Sequence, residues 1–234
     1  MLEGGPLAAP YAKAKLDMIS GGDFTPQMHP GEHLPVPENK GSLMDKAFNW
    51  VNEPRSWRRE NDSLWVTTDE RTDFWHKTWY GFERFSGHFY GCDVTGDFTF
   101  QVKVRGDFNT LYDQAGIMLM QDNDHWLKAG IEYNDGAPAI GSVLTLGHSD
   151  WATGVYPGNA ALFWMRLTRK GDSLRLQYST DGKHWPLLRL AHFPVSGKCT
   201  VGVMCCTPER GGLSVRFDDF LLAPAFDKAL HDLS

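Results

Sequence analysis

The sequence predicts an all-β protein, a jelly-roll sandwich of two antiparallel sheets. Three observations favour this class: apolar and polar residues alternate with a period of two, turn residues such as Gly, Asp and Asn join the segments, and no long helical pattern separates them. Parallel strands need a long crossover connection, so short turns indicate antiparallel pairing. About a dozen strands in roughly 190 residues are typical of such a sandwich.

The chain is expected to divide into three parts. Residues 1–46 contain six of the 13 prolines and no tryptophan, which predicts an irregular N-terminal arm or linker with a possible short helix over 10–20. The sandwich is expected over 47–225. The last segment, 226–234, is predicted to be a C-terminal cap, and its apolar positions suit a short helix.

Within the sandwich, the clearest strand covers 97–105, where Phe98, Phe100, Val102 and Val104 alternate with polar residues. Asp181-Gly182 predicts a two-residue hairpin of type I′, because that turn needs a positive φ at both positions. Tight turns are also expected at 121–124 and 170–172. The other predicted strands are 63–68, 74–79, 115–121, 125–133, 142–146, 163–169, 174–179, 184–190, 201–205 and 215–217.

Composition excludes several classes of protein. A hydrophobic fraction of 41% is too high for a disordered chain, and no apolar run approaches the roughly 18 residues of a membrane helix. The formal net charge of −6 argues against nucleic acid as a partner. Four cysteines without metal-ligand spacing, and a start without a signal peptide, indicate a cytoplasmic protein with no metal or cofactor.

A candidate binding face lies on the strand 125–133. Leu127, Ala129 and Ile131 suit a core, whereas Trp126, Lys128 and Glu132 share the opposite face. A solvent face needs no tryptophan, and a buried face disfavours unpaired charges. The pattern predicts a concave groove in which Trp126 stacks on a sugar ring while Lys128 and Glu132 bind its hydroxyl or acid groups. The alternative is a rim tryptophan beside a cross-strand Lys–Glu pair.

Other polar and aromatic positions join this groove in the prediction. Asp113 and Gln114 carry forked groups that suit vicinal hydroxyls, although Asp113 also suits the cap of the preceding turn. Trp75 is equally compatible with the core and with the groove wall. The full set of predicted ligand-binding residues is Asp73, Trp75, Asp113, Gln114, Trp126, Lys128, Glu132, Thr145, Asp150 and Arg166.

Catalytic chemistry is a second interpretation of the same residues. Paired carboxylates such as Asp113 and Glu132 suit glycoside hydrolysis, with Lys128 or His76 assisting. The sequence contains no nucleophile elbow, phosphate loop, dinucleotide fingerprint or clustered His motif.

Several motifs together resemble the regulation of enolase protein family, a domain of unknown function in the concanavalin A-like lectin/glucanase superfamily. They are F-N-W-V-N-E-P from Phe48, T-D-F-W-H-K-T-W-Y-G from Thr72, Y-D-Q-A-G from Tyr112, H-W-L-K-A-G-I-E from His125 and Y-S-T-D-G-K-H-W from Tyr178. The resemblance implies a cytosolic jelly roll with a concave face. The E-x-D-x-E strand of bacterial glucanases is absent, so their mechanism does not carry over.

Three hypotheses for function follow. The first is a cytosolic, lectin-like carbohydrate-binding protein. The second is an enzyme that acts on a sugar or sugar acid as a hydrolase, lyase or isomerase at the same groove. The third, which the family name implies, is a regulatory partner of a metabolic enzyme.

Overall fold

Two seven-stranded antiparallel sheets pack face to face, which confirms the predicted sandwich. The computed structural model describes residues 46–194 and 197–234, all within one unit, Lys40–Ser234. The predicted arm and its helix over 10–20 lie outside the described residues, apart from Lys46. The strands are β1 (Phe48–Val51), β2 (Ser56–Glu60), β3 (Ser63–Thr67), β4 (Phe74–His76), β5 (Glu83–Phe85), β6 (His88–Val94), β7 (Phe98–Gly106), β8 (Gln114–Asp122), β9 (His125–Asn134), β10 (Ala137–Leu146), β11 (Ser149–Val155), β12 (Leu162–Lys170), β13 (Ser173–Ser179), β14 (Leu187–His192), β15 (Cys199–Cys206) and β16 (Ser214–Ala223).

The strand order shows that the chain crosses repeatedly between the two sheets. The first sheet runs β1-β6-β15-β8-β9-β10-β11, and the second runs β14-β13-β12-β7-β16-β3-β2. Their facing sides supply the main core, which includes Phe100, Ile117, Leu127, Leu167 and Phe217, each at most 1% exposed. Alternation places these side chains inward from both sheets, so burial of apolar area holds the layers together.

A separate hairpin, β4–β5, covers part of the outer face of the first sheet. Phe74 of this hairpin packs on Phe85, with ring centroids 5.1 Å apart, and on Trp126 of β9 at 6.0 Å. Met118 and Met204 complete this second apolar cluster. The hairpin therefore covers part of the sheet face that carries the predicted groove.

Some predicted elements differ from the structure. The segment 74–79 forms only the short strand β4, because the chain turns back at Lys77 and Trp79, both with positive φ. The edge strand β11 was not among the predicted strands; its residues are nearly all exposed and do not alternate. Strands β1, β2, β5 and β6 were also not predicted individually.

The two-residue hairpin predicted at Asp181-Gly182 is wrong. Strand β13 ends at Ser179 and β14 begins only at Leu187, so seven residues connect them. The Asp181 carboxylate accepts the N–H groups of Lys183 and His184, both at 2.8 Å, which makes this an aspartate-capped loop. The other two tight turns were predicted correctly: Asn123 and Asp124 join β8 and β9, and Gly171 and Asp172 join β12 and β13.

The expected C-terminal helix is also absent from the described residues. Residues 224–234 form irregular structure against the outer face of the second sheet. Arg175 donates to the backbone oxygens of Leu230 at 2.6 Å and Asp232 at 3.0 Å. These bonds satisfy carbonyl groups that a helix would otherwise have used. Over the described residues, no helix is long and apolar enough to cross a membrane.

Candidate functional site

A pocket of about 210 Å³ opens between the β4–β5 hairpin and the outer face of the first sheet. Its floor is formed by side chains of β8, β9 and β10, and one wall is formed by β11. The loops before β8 and after β15 complete the rim. The lining residues are Asp73, Trp75, Tyr80, Phe82, Tyr112, Gln114, Lys128, Glu132, Val143, Trp151, Pro208 and Glu209.

Lys128 is the centre of the polar base. Its Nζ lies 2.7 Å from Oε1 of Gln114 and 3.1 Å from Oδ1 of Asp73. Gln114 also donates from Nε2 to the backbone oxygen of Tyr112 at 3.2 Å, which fixes its orientation. An ammonium has three donors. Within the described chain these two bonds therefore leave one N–H of Lys128 for a ligand.

Strand register explains why these side chains meet. Gln114 on β8 is paired directly with Glu132 on β9, and Lys128 lies on the same face of β9 as Glu132. Asp73 arrives from the hairpin, just before β4. Its Oδ1 also accepts the N–H of Phe74 at 2.8 Å, so a backbone group of the hairpin helps to fix the orientation of the carboxylate.

The charged groups on the pocket floor shift one another's pKa values. Burial of Lys128 opposes its charge, but the carboxylate of Asp73, aided by Glu132, outweighs burial and raises the pKa of Lys128. Burial raises the pKa of Glu132 despite the opposing charge of Lys128, and Asp73 adds to the rise. The pocket floor thus contains a lysine whose raised pKa favours its charged form and a glutamate whose raised pKa favours its protonated form.

Aromatic rings form the walls. Trp75 and Trp151 meet at right angles with centroids 6.4 Å apart, and Tyr80 packs edge-on against Trp75 at 5.8 Å. Trp75 is anchored because its Nε1 donates to the backbone oxygen of Thr78 at 2.9 Å. Trp151 is 38% exposed and offers a ring surface to the pocket. Such rings can stack on the apolar face of a sugar.

A row of glycines lies in the first sheet beside the pocket floor. Gly116, Gly130 and Gly141 are paired side by side across β8, β9 and β10. A Cβ at Gly130 would overlap the carbonyl oxygen of Ala115, so the strands approach too closely for any other residue. Between Lys128 and Glu132, Gly130 and Gly141 border a trough of about 10 Å³, a volume that suits one water molecule.

Five of the predicted ligand-binding residues line this one pocket: Asp73, Trp75, Gln114, Lys128 and Glu132. The alternation on β9 and the polar start of β8 predicted that Gln114, Lys128 and Glu132 would lie together, whereas Asp73 and Trp75 reach the pocket from the hairpin.

Trp126 is not part of the pocket, contrary to the expectation that it forms the stacking wall. It is 1% exposed and lies beneath the hairpin, in contact with Phe74. Its Nε1 donates to the backbone oxygen of Asn123 at 3.0 Å. The ring faces outward from the sheet, as predicted, but the hairpin covers it.

Asp113 also lies elsewhere, which removes the predicted carboxylate pair with Glu132. It is fully buried and forms a two-pronged ion pair with Arg210. Its Oδ2 further accepts the N–H groups of Asn109 at 3.1 Å and Thr110 at 3.0 Å. Asp113 therefore stabilises the preceding loop, the alternative that the sequence left open.

His76 ties the hairpin to the rest of the fold and does not reach the pocket. Its backbone N–H donates to the Ser149 hydroxyl at 2.9 Å, and its Nδ1 lies 3.0 Å from the oxygen of Gly147. Thr145, also predicted in the groove, is buried and bonded to Ser149 at 2.8 Å. Both residues anchor the β10–β11 turn.

Asp150 and Arg166 were predicted in the groove and lie outside it. Asp150 is an exposed residue that pairs with Arg189 at 3.2 Å. Arg166 belongs to β12 of the second sheet, so the whole sandwich separates it from the pocket. Its guanidinium lies 3.7 Å from the ring of Trp185, and burial lowers its pKa to about 10. The sequence did not reveal which sheet β12 joins.

Sequence reasoning missed the pocket residues that come from loops. Phe82 stacks on Tyr80 with centroids 5.2 Å apart, and Pro208 and Glu209 follow β15. Tyr112 adopts a positive φ of 62°, a strained conformation for a bulky residue. The P-E-R-G-G turn was visible in the sequence, but nothing in it indicated which strand ends lie beside it. The described residues contain no group of three His, Cys, Asp or Glu arranged to hold a metal ion.

Comparison with known proteins places the chain in a family. The model of the family described as protein of unknown function (DUF1349) matches residues 50–225, and the chain belongs to that family. It is 55% identical over 197 residues to a Saccharomyces cerevisiae protein named Regulation of enolase protein 1, covering 84% of this chain and 99% of the relative. The resemblance noted in the sequence is thereby confirmed.

Solved structures agree on the fold. A functionally unknown protein from Saccharomyces cerevisiae is 52% identical, with a TM-score of 0.75 over 76% of this chain and 97% of that chain. A mutant of the GH43 protein BlXynB from Bacillus licheniformis has a TM-score of 0.60 at 18% identity, over 76% of this chain and 36% of that chain. At that identity the second match shows a shared sandwich fold and nothing more.

Proposed function

We propose that the protein binds a carbohydrate, one sugar ring at a time, in the pocket beneath the β4–β5 hairpin. The observation that carries this proposal is the buried Lys128, held by Gln114 and Asp73 with one donor left over, opposite an aromatic corner. A sugar ring presents hydroxyls along its edge and C–H groups on its faces. The polar base suits the hydroxyls, and Trp75 and Trp151 suit the faces.

Size and location fit the same proposal. A space of about 210 Å³ suits a single ring rather than a polysaccharide chain. The four cysteines are all buried free thiols, which favours a reducing compartment such as the cytosol. A small-sugar binder in the cytosol is therefore a better match than a polysaccharide lectin.

Calorimetric titration with a panel of neutral monosaccharides tests this proposal. Wild-type protein is expected to bind at least one of them, and Trp151→Ala is expected to weaken that binding at least tenfold. Trp57→Ala is the matched control, because Trp57 is 37% exposed, like Trp151, but lies on β2 of the second sheet and does not line the pocket. Absence of binding to the whole panel, or equal weakening by both variants, would overturn the proposal.

A second candidate function is binding to a metabolic enzyme. The yeast relative is named for regulation of enolase. Trp79, at the tip of the hairpin, is 92% exposed and has a positive φ, and a ring held in water at such a strained position favours a protein contact. Sedimentation of purified enolase with this protein is expected to show a complex that Trp79→Ala weakens. A single unbound species for the wild-type protein would refute this function.

A further inference from the structure

The charges around the pocket are unbalanced. Three carboxylates line it, those of Asp73, Glu132 and Glu209, against one cation, Lys128. Asp73 is already paired with Lys128 at 3.1 Å. No ion pair within the described residues involves Glu132 or Glu209, although the charge of Lys128 and a hydrogen bond with Asn134 partly stabilise the Glu132 carboxylate. Arg84 lies over the ring of Phe82 at 4.4 Å but is not among the lining residues.

The aromatic walls add to this negative character. The rings of Trp75, Tyr80, Phe82, Tyr112 and Trp151 line the same space. Each ring face carries partial negative charge and attracts cations, by about 0.5–2 kcal/mol per contact depending on desolvation. Rings and carboxylates therefore favour the same kind of charge on a ligand.

The pKa values of titratable groups at the pocket also reflect this negative charge. A hydrogen bond with Tyr80, together with burial and the nearby charges of Glu132 and Glu209, raises the pKa of Tyr112 to about 12. Asp73 favours the charged form of Lys128 and, after burial, disfavours that of Glu132. An added anion, such as the carboxylate of a sugar acid, would meet this same opposition.

We propose that the pocket selects an aminodeoxy sugar, with its ammonium group beside Glu132 and its hydroxyls toward Lys128 and Gln114. This inference rests on the proposed carbohydrate function and names the ligand class. Lys128 repels a second cation placed beside it, so the ammonium belongs on the side of Glu132 away from Lys128. Lys128 and Glu132 are four residues apart on β9, about 13 Å between Cα atoms at the usual rise, and the Lys128 ammonium lies against Gln114, the strand partner of Glu132.

Matched sugar pairs test this inference. Calorimetry at pH 6, where the amine is protonated, compares glucose with glucosamine, galactose with galactosamine and mannose with mannosamine, with N-acetylglucosamine and choline as further arms. For at least one pair, the amino sugar is expected to bind at least tenfold more tightly than its neutral partner. N-acetylglucosamine, which has no charge, is expected to bind no better than glucose.

Variants locate the preference. Glu132→Gln is expected to reduce the amino-to-neutral affinity ratio to below threefold. Asp135→Asn removes an exposed carboxylate on the adjacent β9–β10 turn and is expected to leave the ratio unchanged.

The outcomes separate the two proposals. Equal affinities within every pair would overturn the amino-sugar inference and leave carbohydrate binding standing. Failure of every sugar to bind would overturn both. Choline binding as tightly as any amino sugar, with no neutral sugar bound, would also overturn both, because cation recognition alone would then explain the pocket.

Discussion

The ammonium of Lys128 lies 3.1 Å from Oδ1 of Asp73, and this ion pair joins the first sheet to the β4–β5 hairpin. Both side chains are largely buried, at 4% and 18% exposed. The pair therefore belongs both to the base of the pocket and to the attachment of its roof. A ligand that binds Lys128 would meet a group already positioned by the fold.

Breaking this pair is predicted to destabilise the protein. Lys128→Met leaves the Asp73 carboxylate without its partner, at an expected cost of about 2–3 kcal/mol in the free energy of unfolding. Adding Asp73→Asn is expected to restore part of that loss, since the orphaned charge is then removed. Urea denaturation of both variants measures the effect. Full wild-type stability for Lys128→Met would show that the pair contributes nothing.

Glu132 is predicted to make stability fall as the pH rises. In the unfolded chain a glutamate titrates near about 4.3, whereas burial raises its pKa in the folded protein. Between those two values the folded state binds more protons than the unfolded state, so raising the pH through this window costs stability. Glu132→Gln does not titrate and should escape this loss.

Denaturation at pH 4 and pH 7 measures this difference. The two proteins are expected to have similar stability at pH 4, and Glu132→Gln is expected to be the more stable at pH 7. The same change between the two pH values in both proteins would mean that Glu132 titrates normally when folded.

The tryptophans are predicted to divide by role. Trp126→Ala removes a ring buried under the hairpin and is expected to cost about 3–5 kcal/mol. Trp151→Ala removes a partly exposed ring and is expected to cost about 1 kcal/mol or less while weakening ligand binding at least tenfold. Thermal unfolding and ligand titration together separate these effects. If Trp126→Ala were as stable as Trp151→Ala, the second apolar cluster would not be a core.

The glycine trough is predicted to tolerate no side chain. Gly130→Ala places a Cβ against the backbone of Ala115 and is expected to destabilise by about 3 kcal/mol. Gly154→Ala, on edge strand β11, meets nothing within 4 Å and is expected to be neutral or slightly stabilising. Equal stability of the two variants, measured by urea denaturation, would contradict the close approach of β8 and β9.

Arg166 is predicted to have no role in the pocket. Arg166→Gln is expected to leave sugar affinity unchanged, because Arg166 packs on Trp185 on the opposite side of the sandwich. Calorimetry with any bound sugar measures this. A tenfold loss of affinity would require a connection across the core that the structure does not contain in its described part.

The sequence predicted those features of the site that depend on single strands. Alternation along β9 placed Lys128 and Glu132 on one face, and the entry to β8 placed Gln114 beside them. It did not predict the roof, since the pattern of 74–79 gives no sign that the hairpin folds over Trp126. A side chain that faces outward from a sheet can still be buried. Here the contact between Phe74 and Trp126 shows that the hairpin covers Trp126.

Features that depend on topology were likewise hidden. Asp113 and Gln114 are neighbours in sequence, yet only Gln114 reaches the pocket, because Arg210 holds Asp113 from a distant loop. Glu209, next to Arg210 in the loop after β15, also lines the pocket because this loop passes its rim. Contacts between residues about 100 positions apart are set by strand order, which periodicity does not reveal.

The most direct test of the central claim is the response of the nine tryptophan indole N–H signals to a bound sugar. In ¹H–¹⁵N spectra with saturating ligand, we predict that the signals of Trp75 and Trp151 shift most. The signals of Trp57, Trp65 and Trp185, which lie away from the pocket, should stay in place. Shifts confined to those three, with Trp75 and Trp151 unmoved, would place sugar binding elsewhere and contradict the account.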